Sequence, residues 1–334
     1  MDSGLSVSVD GRPLDARVHG IGRYAQGLLG ALPKVALERR GELEVLRHLR
    51  RPPLPRRAVE LAEQALLPLE VLLGGGRVHH ALSPYRAPLV SRSNLVVTVH
   101  DVAPLQWPDE YLQTGFVHRM LYRAVRRAAA VICPSRAARD DVRTHLDVDA
   151  HVIPEAADER FRPTDGSGLR ARLGLDGPYL LYVGSLDDPR KDVESLVAAA
   201  AGRPETLVLA GAGRAPATDA VVLGAVPDED LPALYSGATC FVSASRYEGF
   251  GLTALESLAC GTPVAAMAAG ALPETVGPGG LLAETPAELI EAAGRICDEP
   301  ELRERLAAEG RRHAAGYSWR RTAEMTWDVY ESVA

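Results

Sequence analysis

Short apolar runs alternate with longer amphipathic segments along the first half of the chain. Leu95–Val99 and Ala130–Cys133 are apolar almost throughout, whereas Gly22–Leu32 places its apolar residues at helical spacing. An uninterrupted apolar run is typical of a strand whose sheet is covered by helices on both faces. The pattern therefore predicts a doubly wound, parallel α/β sheet.

The same alternation begins again in the second half, which predicts a second sheet of the same kind. The predicted strands are Leu5–Val9, Leu43–Leu46, Leu95–Val99, Ala130–Cys133, His151–Ile153, Tyr179–Val183, Thr206–Leu209, Ala220–Leu223, Cys240–Val242 and Pro263–Ala265. The predicted helices include Gly22–Leu32, Arg57–Leu73, Gly115–Ala129 and Glu288–Cys297.

Acidic residues, prolines and a Gly/Ser tail interrupt the alternation at Pro154–Gly168, which predicts a hinge. We expect one Rossmann-like domain at residues 1–160 and another at 161–316. Residues 317–334 hold Trp319, Trp327 and Tyr330, and aromatic residues so near a terminus indicate a helix that packs back on the first domain. Two such domains would leave a cleft at the carboxyl ends of their strands, where open α/β sheets bind ligands.

Composition and charge narrow the class of protein. With 46% hydrophobic and 24% charged residues, the 334-residue chain can bury sizeable cores, which excludes a disordered protein. Residues 1–150 carry 21 Lys and Arg against 16 Asp and Glu, a net charge of +5, whereas residues 151–334 carry 16 against 28, a net charge of −12. Opposite signs indicate two domains with different partners, and they exclude a nucleic-acid binder with a continuous basic face.

Cysteine spacing and the first residues indicate a cytoplasmic protein. The four cysteines form no CxxC pair and have no histidine at ligand spacing, which indicates buried thiols and no structural zinc. The first residues lack the positive start and apolar core of a signal peptide. The longest uncharged run, Ser257–Pro273, is too short and too often interrupted by glycine and proline to span a bilayer.

The stretch Arg246–Val264 carries the most informative chemistry. Glu248 follows a predicted strand, Gly249-Phe250-Gly251 forms a turn, and a helix begins near Leu252 with Glu256 about one turn in. A helix that starts at a glycine turn presents free N–H groups and the positive end of its dipole, which suits a diphosphate. Glu256 can then reach vicinal hydroxyls such as those of a ribose, and Glu248 can face the group beyond the phosphates.

Each glutamate taken alone has a simpler interpretation. Glu248 could cap the helix, and Glu256 could be a solvated helix residue. The combination of both with the glycine turn, followed by Gly-Thr-Pro-Val entering a new strand, favours a binding site.

This pattern, E-x-F-G-x-x-x-x-E followed by A-x-G-x-P-V, resembles the signature of retaining glycosyltransferases of family 4, the glycosyl transferases group 1. Other segments resemble the family in the family's order: HGIGRYAQGLL, VVTVHDVAPLQWPDEY, VICPSRAARDDV, YLLYVGSLDDPRKD, LVLAGAG and VVLGAVPDEDLPALYSGA. The resemblance covers nearly the whole chain. It implies the GT-B fold, in which two Rossmann-like, doubly wound parallel-sheet domains face a central cleft.

The resemblance also implies a donor, a nucleotide-diphosphate sugar held mainly by the second domain. Arg190 and Lys191 would neutralise the leaving diphosphate, whose developing charge must be stabilised in a water-poor site. Glu248 would hold hydroxyls of the transferred sugar, and His100, which follows an apolar strand, would lie near that sugar. The predicted catalytic residues are His100, Arg190, Lys191 and Glu248.

The same resemblance implies the nucleotide-binding residues. Gly20 and Gly22 would let the backbone of the first domain approach the diphosphate, and Val226 would lie beside the base. Many family members carry an arginine after the first glycine of the second domain, whereas here Ser185 follows Gly184. The predicted nucleotide-sugar-binding residues are Gly20, Gly22, Gly184, Ser185, Val226, Gly249, Phe250, Gly251, Leu252 and Glu256.

The implied reaction is hexosyl transfer with retention of anomeric configuration. Double displacement would need a carboxylate on the opposite face of the sugar, and the resemblance offers none, so front-face substitution is expected. No carboxylate motif for a metal is present, so no metal and no other cofactor are expected. The alternatives are another GT-B enzyme, such as a phosphorylase or a nucleotide-sugar epimerase, and a nucleotide-sugar-binding protein without catalysis.

The acceptor is left open by the sequence. Seven arginines lie in Arg39–Arg57, where they could attract an anionic acceptor or an acidic membrane surface. A solvated loop and helix start is favoured over peripheral membrane contact, because the Pro-Pro-Leu-Pro segment breaks any continuous amphipathic helix. The candidate acceptors are a glycan, a lipid-linked glycan and a small natural product.

Overall fold

A computed structural model describes residues 4–15, 20–46, 76–88, 94–110 and 122–334. The chain divides into two units, the first formed by Met1–Glu155 with Trp319–Ala334 and the second by Ala156–Ser318. The chain thus leaves the first unit a few residues before the predicted boundary at 160, and returns to it close to the predicted boundary at 316.

The strands and helices alternate along the described residues. The strands are β1 (Ser6–Asp10), β2 (Glu42–Leu46), β3 (Val78–Ala81), β4 (Asn94–Thr98), β5 (Ala130–Cys133), β6 (His151–Val152), β7 (Tyr179–Val183), β8 (Thr206–Ala210), β9 (Val221–Gly224), β10 (Cys240–Ser243), β11 (Val264–Met267) and β12 (Gly280–Ala283). The helices are α1 (Gly20–Glu38), α2 (Ala103–Gln106), α3 (Arg136–Leu146), α4 (Ser167–Leu173), α5 (Val193–Ala200), α6 (Leu231–Gly237), α7 (Leu252–Ala259), α8 (Leu272–Val276), α9 (Pro286–Asp298), α10 (Pro300–Ala314) and α11 (Trp319–Val333).

Within its described residues, the first unit has one parallel sheet in the order β2-β1-β3-β4-β5-β6. Successive side chains of β4 enter different cores, since Val96 packs with Leu28 whereas Val97 packs with Val142. Both faces of the sheet are therefore covered, as the uninterrupted apolar runs predict.

The C-terminal helix α11 packs against α1 in the first unit. Trp327 and Tyr330 are fully buried there, in the same core as Leu28. At the surface, Arg39 pairs with Asp328 at 2.8 Å and with Glu331 at 3.0 Å. Arg39, one of the seven arginines of the basic segment, thus binds acidic residues of α11.

The second unit has a parallel sheet in the order β12-β11-β10-β7-β8-β9. Numbered from β7, this is the 3-2-1-4-5-6 order of doubly wound nucleotide-binding folds. Tyr179 and Leu181 of β7 point into one core and Leu180 and Tyr182 into the other, so this sheet is also covered on both faces. The predicted α/β fold with two parallel sheets is confirmed.

Some predictions fall on residues that are not described. They are the helix Arg57–Leu73, residues 115–121 of the helix Gly115–Ala129, and Arg47, Arg50, Arg51, Arg56 and Arg57 of the basic segment. In the ranges that are described, no helix has both the length and the apolarity to cross a membrane.

Candidate active site

The carboxyl ends of β7 and β10 lie side by side in the second unit, where the strand order reverses. β7 leads into Gly184 and Ser185, and β10 leads into Ser245 and Glu248. Open α/β sheets bind ligands at such a switch point. The two predicted donor-binding loops therefore follow neighbouring strands and meet at the switch point of the sheet.

Lys191 and Glu248 form an ion pair between these two loops. Nζ of Lys191 lies 2.5 Å from Oε1 of Glu248, and the two side chains are only 19% and 14% exposed. The same carboxylate oxygen accepts a 2.8 Å hydrogen bond from Oγ of Ser245. The backbone N–H of Arg246 donates to the carbonyl oxygen of Arg190 at 2.8 Å, which ties the basic loop to the Glu248 loop.

Arg190 is paired within its own loop. Its Nη2 lies 2.9 Å from Oδ2 of Asp188, and its backbone N–H donates to Oδ1 of Asp188 at 3.0 Å. Burial alone would raise the pKa of the Asp188 carboxyl, but the hydrogen bonds and charge of Arg190, with the charge of Lys191, hold it below its usual range. Asp188 therefore carries a negative charge that fixes the direction of the Arg190 side chain.

The Glu248-to-Gly251 loop is held by hydrogen bonds from α8 and from the residue before it. The N–H of Ala271 donates to the carbonyl oxygen of Glu248 at 2.9 Å, and Oγ1 of Thr275 donates to the carbonyl oxygen of Phe250. Gly270 has φ +56°, and a Cβ there would collide with the Glu248 carbonyl oxygen. The sequence around Gly270 gives no sign of this role, because Gly270 lies in an Ala/Gly run and its partner Glu248 is 22 residues away.

The helix α7 begins directly after this loop. Gly251, with φ +91°, is the N-cap residue, and no side chain caps the helix, so the interpretation of Glu248 as a helix cap is wrong. Phe250 is buried, with its ring edge-on to Tyr317 at 5.9 Å between centroids. Leu252, the first residue of α7, is half-buried.

Glu256 lies inside the second unit and not on its surface. It is 1% exposed, and its Oε2 accepts a 3.1 Å hydrogen bond from the hydroxyl of Tyr235 on α6. The interpretation of Glu256 as a solvated helix residue is therefore wrong. Its contact with ribose hydroxyls stays a prediction.

Close contacts explain the glycines that directly follow β7 and β8. A Cβ on Gly184 would lie 2.5 Å from the Tyr182 hydroxyl, and a Cβ on Gly211 would collide with the Gly184 carbonyl oxygen. Oγ of Ser185 donates to Oδ1 of Asp187 at 2.9 Å. Val226 is half-buried against the core of the same unit, after β9.

In the first unit, the glycine pair near the N-terminus is helical. Gly20 begins α1 and Gly22 is its third residue, so the glycine turn expected from the resemblance is a helix start in the described residues. A Cβ on Gly20 would meet no atom of the described residues within 4 Å. His19, which opens the matching motif, lies outside the described residues.

His100 follows β4 and is held on both sides of its ring. Nδ1 lies 3.0 Å from Oε1 of Glu155, and Nε2 lies 3.1 Å from the carbonyl oxygen of Leu82. The Tyr24 ring packs edge-on against the imidazole, 4.7 Å between centroids. Burial alone would lower the pKa of His100, but the hydrogen bond and charge of Glu155, with the Leu82 carbonyl and Asp101, raise it above its usual value.

Glu155 is a site residue that sequence analysis missed. It lies two residues after Ile153 in the predicted hinge, where it reads as one of several acidic linker residues. In the structure it is buried, 5% exposed, beside His100. Among described residues, no group of three or more His, Cys, Asp and Glu side chains could hold a metal ion.

Comparison with solved structures defines the class of fold. The sucrose-phosphate synthase of Thermosynechococcus elongatus matches with a TM-score of 0.83 at 23% identity, covering 98% of this chain and 99% of that one. Anabaena HepE in complex with UDP-glucose matches with a TM-score of 0.73 at 19% identity, covering 98% and 99%. The chain has the two-domain, Rossmann-like GT-B fold.

Sequence comparison then gives the family. The profile described as "Glycosyltransferase Family 4" matches residues 18–161, and the profile "Glycosyl transferases group 1" matches residues 177–299. The alpha-maltose-1-phosphate synthase of Mycolicibacterium smegmatis is 33% identical over 283 residues, 72% of this chain and 73% of that protein. The chain belongs to the group 1, family 4 glycosyltransferases, as the sequence motifs predict.

A second relative is the MMP alpha-(1->4)-mannosyltransferase of Mycolicibacterium hassiacum. It is 34% identical over 278 residues, 71% of this chain. The matched region spans 65% of that protein, just under two thirds of its length.

Proposed function

We propose that this protein is a retaining glycosyltransferase that moves a sugar from a nucleotide-diphosphate donor to an acceptor hydroxyl without a metal. The observation that carries the proposal is the cluster of Arg190, Lys191 and Glu248 at the carboxyl ends of β7 and β10. Membership of the family supports the transfer reaction. The fold that this chain shares with HepE, which was solved with UDP-glucose, supports a nucleotide-sugar donor.

In this proposal the cations stabilise the leaving group. As the bond between the anomeric carbon and the donor phosphate oxygen breaks, negative charge develops on the diphosphate. Arg190 and Lys191 offset that charge, and the backbone N–H groups at the start of α7 add to this stabilisation. Lys191 is paired with Glu248 before the donor binds. The ammonium group of Lys191 is therefore already held beside the carboxylate that binds the sugar.

Glu248 orients the sugar and does not attack it. Its Oε1 is engaged by Lys191 and Ser245, while no described residue donates to its Oε2. Oε2 is therefore the oxygen that accepts from a sugar hydroxyl. The acceptor oxygen forms its bond to the anomeric carbon on the face from which the diphosphate leaves, and its proton passes to the departing phosphate oxygen.

The proposed front-face reaction is tested with Glu248→Ala. We expect this variant to bind the donor but to lose turnover, measured as nucleotide release, without a covalent intermediate. Intact-protein mass spectrometry after incubation with donor then shows only the unmodified chain, in the wild type and in the variant. A glycosyl adduct on either protein contradicts front-face substitution and indicates double displacement.

The donor is identified by thermal-shift measurements with UDP, GDP, ADP and dTDP sugars. A ligand at a hundred times its dissociation constant stabilises the folded state by about 2.7 kcal/mol, which raises the melting temperature measurably. We expect one nucleotide to stabilise the wild type and to stabilise Lys191→Ala less. If no nucleotide sugar stabilises the protein, the proposed donor class is wrong.

Metal independence is a separate part of the proposal. Because Arg190, Lys191 and backbone N–H groups supply the positive charge, we expect nucleotide release to be unchanged by EDTA. Loss of activity in EDTA that returns with a divalent cation contradicts it. Release of a sugar phosphate only when inorganic phosphate is added, without an acceptor, would instead identify a phosphorylase.

A further inference from the structure

His100 is surrounded by hydrogen-bond acceptors on both sides of its ring. A neutral imidazole carries one N–H and one lone pair, so it can donate from only one nitrogen. Here Nδ1 faces a carboxylate oxygen of Glu155 at 3.0 Å and Nε2 faces the carbonyl oxygen of Leu82 at 3.1 Å. Both contacts are hydrogen bonds only if a proton lies on each ring nitrogen, or if Glu155 itself holds the second proton.

The proton belongs on the ring and not on the carboxylate. An imidazole is a stronger base than a carboxylate by about 2 pKa units, so a proton shared by such a pair resides on nitrogen. The side chains of His100 and Glu155 are 14% and 6% exposed, so a charge on either one needs a partner. An imidazolium–carboxylate pair supplies that partner and satisfies the Leu82 carbonyl as well.

We propose that Glu155 is a positioning residue that keeps His100 as an imidazolium cation, so that His100 acts in the reaction as a charged hydrogen-bond donor and not as a general base. The assignment of a role in turnover rests on the proposed transfer reaction. The charge state of the ring does not.

The groups that face His100 from each packed element favour the cation. Glu155 faces it from the segment after β6, Asp101 from its own loop, His80 from β3 and Tyr24 from α1. Burial lowers the pKa of His80 to about 3, so His80 is neutral and does not repel a charged ring. The hydroxyl of Tyr24 is engaged with Thr98 at 3.0 Å.

The backbone that carries Glu155 is fixed by the C-terminal helix. Oγ1 of Thr322 on α11 donates to the carbonyl oxygen of Pro154 at 2.7 Å. Trp319, the first residue of α11, packs edge-on to Tyr24, which in turn packs against His100. Glu155 is therefore held in place relative to the ring by contacts within the first unit.

The charge state is measured directly by NMR on the full chain labelled with [15N]histidine. Long-range proton–nitrogen spectra distinguish an imidazolium from either neutral tautomer, and His100→Gln assigns the signal among the nine histidines. We expect two protonated ring nitrogens at about pH 6.5, where an ordinary imidazole is only half-protonated, and a titration midpoint that moves to lower pH in Glu155→Gln. A neutral His100 in the wild type, or an unchanged midpoint in Glu155→Gln, overturns the proposal.

The matched control is Glu205→Gln. Glu205 is also buried and paired, with Nη2 of Arg203 at 2.9 Å, but it lies in the second unit outside the catalytic machinery. Its replacement removes a buried carboxylate charge without touching His100, so the His100 midpoint stays unchanged. If Glu155→Gln fails to fold, the wild-type spectrum still decides the charge state, and Glu155→Asp, which keeps the charge, is expected to retain the raised midpoint.

The pH dependence of nucleotide release separates the two possible roles of the ring. A cationic donor loses activity as the pH rises through its titration, and Glu155→Gln moves this alkaline limb to lower pH. A general base loses activity as the pH falls, and Glu155→Gln would then extend activity into acid, which overturns the proposal. If no donor is turned over at all, the transfer reaction fails while the NMR result on His100 stands.

Discussion

Lys191 and Glu248 are each other's partners, with Nζ and Oε1 2.5 Å apart and both side chains largely buried. Losing one member of such a pair leaves the other as a buried, uncompensated charge, which costs about 3–5 kcal/mol in fully buried pairs. The two residues reach each other from neighbouring strands, and their positions depend on one another. A substitution at either position therefore alters the position of the other side chain as well.

We expect Lys191→Ala and Glu248→Gln to be coupled in a double-mutant cycle. Each single variant should lower kcat by about 100-fold. Lys191→Ala removes a cation that stabilises the developing negative charge, and Glu248→Gln removes the carboxylate that orients the sugar. The free energies of unfolding should show a coupling of about 1–3 kcal/mol, because the double variant leaves no unpaired charge. Steady-state kinetics and urea unfolding measure the two effects.

The exposed pair of Arg295, on α9, and Glu299, directly after α9, is the control for this cycle. Nε of Arg295 lies 3.0 Å from Oε1 of Glu299, and the two side chains are 58% and 47% exposed. Exposed pairs at this helical spacing contribute about 0.3–0.5 kcal/mol to the stability of the folded state. Arg295→Ala should leave kcat unchanged. Coupling as small for Lys191 and Glu248 as for this pair would mean that the buried ion pair is not formed in solution.

The position of Glu248 also depends on Gly270. A Cβ at residue 270 would meet the Glu248 carbonyl oxygen, a backbone atom that cannot swing away, and the φ of +56° disfavours any side chain. We expect Gly270→Ala to lower kcat by about 10- to 100-fold, since small displacements of a positioned group have effects of this size. Nucleotide release measures it.

Gly174→Ala is the matched control, because residue 174 has φ +66° but open space around the missing Cβ. Both variants bear the cost of a left-handed backbone, about 1–2 kcal/mol, but only Gly270→Ala displaces the Glu248 loop. Equal losses of kcat in the two variants would show that backbone strain alone, and not the contact with Glu248, is responsible.

Sequence patterns predicted the strands with uninterrupted apolar runs best. The bounds of β5 and β7 are the predicted ones, since each is a short run of apolar residues covered on both faces. β3 was missed because its centre is His79-His80, which is buried only through distant partners such as Ser8 and Tyr330. β12 was missed because its four residues follow a Gly/Pro-rich turn and carry too little pattern.

For the candidate site, residue types were predictable and pairings were not. Arg190, Lys191 and Glu248 belong to motifs that are readable locally, but the contact between Lys191 and Glu248 joins residues 57 positions apart. The contact between His100 and Glu155 joins residues 55 apart. Only the order of strands in each sheet brings such residues together, and that order is a tertiary property.

The docking of α11 gives a prediction about two glycines on α1. A Cβ on Gly27 would collide with the Trp319 ring, whereas a Cβ on Gly30 would meet no atom of the described residues within 4 Å. We expect Gly27→Ala to destabilise the protein by about 1–3 kcal/mol through overpacking. Gly30→Ala should stabilise it by about 0.5–1 kcal/mol, because alanine is the better helix former.

Melting temperatures of the two variants test this directly, since each variant adds one methyl group to the same helix of the wild type. A decrease for Gly27→Ala and an increase for Gly30→Ala are expected. If Gly27→Ala is as stable as Gly30→Ala, then Trp319 does not pack on α1 in solution.

The buried His80 predicts how stability depends on pH. Its ring nitrogens are engaged by Tyr330 at 2.6 Å and Thr98 at 2.8 Å, and burial lowers its pKa from 6.5 to about 3. Between these values the unfolded chain binds a proton that the folded chain does not. Stability therefore falls as the pH drops below about 6.5, by up to about 1.4 kcal/mol per pH unit from this residue.

His100 does not add to this slope. Its pKa is raised in the folded state, so its contribution is fully present below the unfolded value and is lost only as the pH rises. Replacing His80 by glutamine keeps a hydrogen-bonding side chain that does not titrate. We expect the melting temperature of His80→Gln to fall less steeply than that of the wild type between about pH 6.5 and pH 5, whatever its absolute stability.

His151→Gln is the control for the loss of a histidine, because His151 is exposed at the start of β6. Carboxylates titrate in both proteins, so the difference in slope between each variant and the wild type isolates one histidine. Identical slopes for the wild type and His80→Gln would mean that His80 is protonated in the folded protein. The hydrogen bonds from His80 to Tyr330 and Thr98 would then need a different arrangement of protons.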